Sequence, residues 1–171
     1  MKAQIPQARE DELVAQIKAH IAFEHMLVSV LIGAGVSAAA LFVANNVVSL
    51  AKGGWSLAIL LSTGLDAVWF AFVVFLVGFG AVVAVGVPLF LALEKIPYRR
   101  LWPYIVAAVI LQYAAHALVF GPPPLFEKPA TFLIFAPGLL MAGLFWRRIQ
   151  PLWRAGKMEN EAPKPPLRIV H

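Results

Sequence analysis

The sequence predicts an all-α, polytopic membrane protein with four transmembrane helices and an amphipathic helix at its N-terminus. Three observations carry that prediction. Of the 171 residues, 61% are hydrophobic and only 13% are charged, with a mean hydropathy of +0.80, whereas soluble domains carry about 25% charged residues. From Gly53 to Leu93, forty-one residues pass with a single formal charge, Asp66, and no Lys, Arg, Glu or His. The Lys and Arg residues lie in short segments flanking apolar runs, the distribution that membrane topology imposes.

The same composition excludes several functions. There is no cysteine, so disulfide frameworks, thiol redox chemistry and thiolate metal sites are ruled out. The net charge of +5 and pI near 9.8 come without a basic helix or an aromatic-interleaved basic patch, so nucleic acid is not an expected partner. The acidic stretch Glu10, Asp11, Glu12 ahead of the first apolar run argues against a cleaved signal peptide. The first span is therefore expected to remain as an uncleaved anchor.

In chain order, residues 1–25 read as a cytoplasmic amphipathic segment. Leu13, Val14, Ile17 and Ile21 recur at spacings of three and four, with Glu10, Glu12, Gln16, Lys18 and His20 on the remaining face. No Gly or Pro interrupts Ala8 to Ile32, so this helix is expected to run straight into the first span, at about 26–50. Within that span Gly33 and Ser37, and Gly35 and Ala39, form two small-residue pairs four apart. Such spacing allows close helix approach in lipid, either to a second copy or to another span of the same chain.

Lys52, Gly53 and Gly54 form the following turn. The long uncharged run must then be divided, because a span of hydrocarbon takes roughly 20 residues. We expect residues 55–65 to form an outer interfacial segment anchored by Trp55 and broken at Ser62-Thr63-Gly64. The second span then covers about 67–93, with Asp66 as its N-cap. Pro88 removes the donor to the Ala84 carbonyl and is expected to kink that helix. The third span, about 102–120, ends abruptly at Gly121-Pro122-Pro123-Pro124. The fourth, about 130–146, is expected to break at Pro137-Gly138. Residues 147–171, with Arg147, Arg148 and then Pro163, Pro165 and Pro166, read as a basic cytoplasmic tail whose distal part has the composition of disorder.

Four spans put twelve of the fourteen Lys and Arg on one side and only Lys52 and Lys128 on the other. The positive-inside rule then places both termini in the cytoplasm.

Polar residues within the apolar runs are the candidates for chemistry. Asn45, Asn46, Asp66, Gln112, Tyr113 and His116 are expected at similar depth near the outer face, with Gln112, Tyr113 and His116 able to share one helical face. A functional reading pairs Asp66 with His116 around a cavity; a structural reading makes Asp66 a cap and His116 a hydrogen-bonding link between helices. No metal site is expected, because His20 and His25 lie at the opposite membrane surface from His116. Haem ligation fails on the same geometry, and no cofactor motif is present.

The passage Gly86-Val-Pro-Leu-Phe-Leu-Ala-Leu, followed by a basic turn and Leu101-Trp102, resembles a recurrent segment of uncharacterised small four-span inner-membrane proteins of bacteria. The resemblance implies a bacterial inner-membrane location and no activity. It transfers no catalytic or binding residue.

The expected function is that of a non-enzymatic accessory or interaction protein in the lipid bilayer, acting as a homo-oligomer or beside a larger membrane complex. A small oligomeric transporter or channel using the polar cluster is the alternative. A membrane enzyme acting on lipid or quinone, with Asp66 and His116 as acid and base, is the third.

Overall fold

The structure, a computed structural model, describes residues 7–95, 100–123 and 129–161. The stretch before Gln7, the basic-turn residue Arg99, the Glu127–Lys128 pair and the prolines at 163, 165 and 166 lie outside these residues. Among the described residues all regular structure is helical. The helices are α1 (Gln7–Ala51), α2 (Leu57–Ala81), α3 (Val87–Lys95), α4 (Trp102–Phe120) and α5 (Ala136–Glu161). A π-turn, Val82–Gly86, joins α2 to α3, and a 3-10 segment, Pro129–Phe135, leads into α5.

Among the described residues three stretches are long and apolar enough to cross a membrane: Glu12–Ala51, Leu57–Leu93 and Phe132–Arg154. The apolar helix Trp102–Leu118 is shorter. These properties are those of an integral membrane protein.

The uninterrupted apolar stretch of α1 reflects its lack of proline and of a helix-breaking turn until Lys52. There the chain closes in a Schellman motif, with Gly54 N–H donating to Ser49 O at 3.1 Å and Gly53 N–H to Leu50 O at 2.9 Å. Gly53 sits at φ +70°, where a side chain would clash with its own backbone. The stripe of Leu13, Val14 and Ile17 stays exposed at the far end of α1.

The expected division of the long uncharged run is overturned. Residues 55–65 are not a separate interfacial segment; α2 begins at Leu57 and passes through Ser62-Thr63-Gly64 without a break. The hydroxyls that were expected to interrupt it bond back to their own helix instead, Ser62 Oγ to Ile59 O at 3.0 Å and Thr63 Oγ1 to Ile59 O at 2.9 Å. The N-cap is Ser56, in extended conformation, whose Oγ accepts from Ile59 N–H at 3.3 Å. Asp66 is therefore no cap: it lies in the interior of α2, about 14 Å beyond the first residue at 1.5 Å per residue.

The other proline expectations also change in detail. The irregularity before Pro88 is the wide π-turn, in which Val87 N–H bonds to Val82 O. This i→i−5 pairing redistributes the ladder just where proline supplies no donor. Pro137 does not break a helix midway; it lies in the first turn of α5, at the passage from 3-10 to α geometry. The segment after Trp146, expected as tail, continues α5 to Glu161 with Pro151 inside it. Gly121, at φ +85°, ends α4 where the proline run predicts it.

α1 is the central element. It packs along α2, α3 and α5, and α4 packs on α5. Glycines allow the close approaches: a Cβ at Gly33 would meet Met141, one at Gly78 would meet Val30, and one at Gly86 would meet Met26. The core gathers at the Trp102 end, where Ala22, Met26, Val82, Phe90, Tyr104, Phe145 and Ile149 are buried together. Its aromatic members meet edge to face, Tyr104 with Phe145 at 5.1 Å and Phe90 with Phe145 at 6.3 Å.

A candidate functional site between the second and fourth helices

α2 packs on α1 and α4 packs on α5, while α2 and α4 face each other with little direct backbone contact. Between them lies a cleft of about 420 Å³. Its walls are α2–α3 and α4; Val30 from α1 and Met141 from α5 contribute to its floor. The lining is almost wholly apolar, and among the described residues no Asp, Glu, Lys or Arg belongs to it. The polar residues are Tyr104 at the core end, then Gln112 and His116 one turn apart on α4.

Gln112 Oε1 accepts the backbone N–H of Gly138 at 3.1 Å. Gly138 is the third residue of α5, where backbone donors lack an intrahelical acceptor. A side chain of α4 thus supplies the missing partner for α5. Glycine is required opposite it, since a Cβ at residue 138 would stand 2.5 Å from that same oxygen. His116 Nδ1 lies 3.1 Å from Gly121 O. A carbonyl can only accept, so Nδ1 carries the proton and ties the ring to the turn that ends α4.

The six polar residues expected to cluster do not form one constellation. Asn46 Nδ2 donates to Phe42 O at 2.8 Å and to Thr63 Oγ1 at 3.0 Å, clamping α1 to α2 near their connecting turn. Its Oδ1 is buried and has no hydrogen-bond partner among the described residues. Gln112 lies much farther from that turn. Gly33 is thirteen residues from Asn46 and packs on Met141, three residues past Gly138 on the antiparallel α5, which puts Gln112 on the order of 15 Å deeper than Asn46. The expectation of a common depth therefore fails.

Asp66 is exposed, does not line the cleft, and is joined to His116 by no hydrogen bond or ion pair among the described residues. The acid–base pair of the enzymatic reading is thus not assembled. Asn45 is half-buried and Tyr113 is exposed on the side of α4 away from the cleft lining. His20 and Glu24 pair at 3.2 Å on the exposed surface of α1. Among the described residues no group of three or more His, Cys, Asp and Glu could hold a metal ion.

The two small-residue pairs of α1 divide between the two roles considered for them. Gly33 is buried against Met141 of α5, with Ser37 half-buried below the hairpin turn. Gly35 and Ala39 are exposed, and nothing lies within 4 Å of a Cβ placed at Gly35.

Sequence reasoning missed Thr63 and Ser56. Both were hidden by the premature end assigned to the second helix. Once Leu57 onward is helical, an antiparallel hairpin turning at Gly53-Gly54 brings Asn46 opposite Thr63, because the two are nearly equidistant from the turn. Nothing local in the sequence marks Gly138 as the partner of Gln112. The chain matches no protein-family model, no curated protein and no solved structure.

Proposed function

We propose that this chain is a non-enzymatic accessory protein of a bacterial inner membrane, crossing it four times with both termini in the cytoplasm. It associates with a neighbouring transmembrane helix, in a homo-oligomer or a larger complex, through the face of α1 that carries Gly35 and Ala39. One observation carries the reading. Gly35 and Ala39 are small, exposed and one turn apart on α1; nothing lies within 4 Å of a Cβ placed at Gly35, and Ala39 edges a shallow groove shared with Gly64, Ala67, Val68 and Ala71 of α2. In lipid, where apolar residues gain nothing from leaving hydrocarbon, a surface that allows close backbone approach is what favours association. The distribution of Lys and Arg supports the orientation. The lack of an assembled acid–base pair removes the main support for catalysis by Asp66 and His116.

The test is purification in a mild detergent with measurement of assembly mass, for the wild type and for Gly35→Leu and Gly80→Leu. Gly80 is equally open, with nothing within 4 Å of its Cβ position, but lies on α2. The reading expects wild type and Gly80→Leu to share one assembly larger than a monomer, and Gly35→Leu to shift toward monomer. Lone monomers throughout would overturn it.

A further inference from the structure

The cleft between α2–α3 and α4 takes no part in that association, since neither Gly35 nor Ala39 lines it. We propose that it is a binding site for one neutral lipid, a single hydrocarbon tail with an uncharged oxygen-bearing head, entering from the bilayer and placing its head at Gln112.

The shape comes first. The volume of about 420 Å³ falls in the range of small-molecule sites, about 300–1,000 Å³. The floor and edges of the cleft are fixed by close packing among its own lining residues. Val30 fills the space at Gly78, Met26 fills the space at Gly86, and Gln112 fills the space at Gly138. The π-turn Val82–Gly86, a local geometry that recurs at functional sites, also forms part of one wall. At the core end the edge-to-face contact of Tyr104 and Phe145 closes the cleft. From Tyr104 to Gln112, where the head sits, the α4 wall extends about 12 Å, the dimension of a hydrocarbon tail of about ten carbons rather than of a compact solute.

The route of entry follows from the arrangement of helices. The long open side lies between two apolar helices that make little direct backbone contact, so a ligand reaches it from hydrocarbon and not through a polar vestibule. The tail meets Val73, Val77, Ala108 and Leu111.

The head chemistry follows from Gln112. Its Oε1 is fixed by Gly138 N–H, which sets the orientation of the amide and leaves the NH2 group as the donor side. An oxygen of a quinone, ester or hydroxyl accepts from such a group. A carboxylate or phosphate head would need a cation to offset its desolvation, and no Lys or Arg among the described residues lines the cleft.

The test uses the full chain in mild detergent and four probes: decylubiquinone and monoolein as neutral heads, oleate and monooleoyl phosphate as charged ones. The expected result is one neutral probe per chain, bound at least tenfold tighter than either charged probe. The tighter of the two neutral probes identifies the source as quinone or glycerolipid. Val74→Trp and Ala107→Trp, on opposite walls, should each weaken binding at least tenfold, and Gln112→Leu should narrow the preference for neutral heads. A monoolein with a diazirine in its tail, used on the wild-type chain, should label peptides from α2–α3 and α4. Equal binding of oleate, no bound neutral probe, undiminished binding by folded Trp variants, or labelling confined to the outward face of α1 would each overturn the proposal. Labelling of α1 alone would be the outcome if the cleft were filled by a partner helix instead.

Discussion

Gln112 Oε1 accepts the backbone N–H of Gly138 at 3.1 Å, so the start of α5 is completed by a side chain from α4. The contact is intolerant of any added atom on the glycine. It joins two helices and, by fixing the amide, orients the one side-chain amide that lines the cleft among the described residues.

Gly138→Ala should therefore destabilise the protein although alanine is the better helix former. The new Cβ displaces Gln112 and leaves a buried donor unsatisfied, a loss of about 1–3 kcal/mol. A lowered thermal midpoint in detergent checks this. Gln112→Leu should lose a similar amount, and the double variant should lose less than the two added together, since both remove one contact.

Asn46 and Thr63 should couple weakly. Interhelical hydrogen bonds in membrane bundles average about 0.6 kcal/mol and reach about 1.7 kcal/mol. A double-mutant cycle with Asn46→Leu and Thr63→Val should give an interaction energy in that range. A value near zero would show that the 3.0 Å contact adds nothing to the α1–α2 hairpin.

Alanine at two glycines should act in opposite directions. Gly53→Ala forces a side chain into φ +70° and should cost about 1–2 kcal/mol. Gly35→Ala meets nothing within 4 Å and should be neutral or stabilise the isolated chain by up to about 1 kcal/mol through helix propensity. Both are read from the thermal midpoint.

Replacing Asp66 by Asn should leave accumulation and thermal midpoint unchanged, because the carboxylate neither caps α2 nor bonds to a described residue. Ser56→Ala, by contrast, removes the cap that α2 does use and should cost about 1 kcal/mol. A destabilised Asp66→Asn with an intact Ser56→Ala would reverse the assignment of the cap.

Much of the architecture was legible in the chain. The uninterrupted α1, the turn at Gly53, the limits of α4 and the helical class all follow from apolar runs and from glycine and proline, which act locally. The start of α2 was not legible by length. A single crossing needs far fewer residues than Leu57–Leu93, and that rule says where an apolar helix becomes long enough, not where it must stop. Ser62 and Thr63 look like a break when taken by type, but their hydroxyls bond within the helix and leave its ladder intact.

The candidate site was legible only in part. Gln112 and His116 could be placed on one face of a helix from their spacing alone. Their separation from Asp66 and Asn46 could not, because depth in a bundle depends on the register between helices, and register is set by contacts such as Gly33 with Met141.

By itself the sequence determined the helical class, the membrane character and the helix ends that glycine and proline impose, since these rest on composition and on interactions within a few residues. Only the tertiary structure decided that α2 and α4 stand apart, that Gly33 is used inside the chain while Gly35 is left outside, and that Gln112 serves α5. Those outcomes depend on which faces of the helices meet, and nearly every face of these helices is apolar. Hydrophobic pattern therefore could not choose among them; the fit of glycine to side chain did.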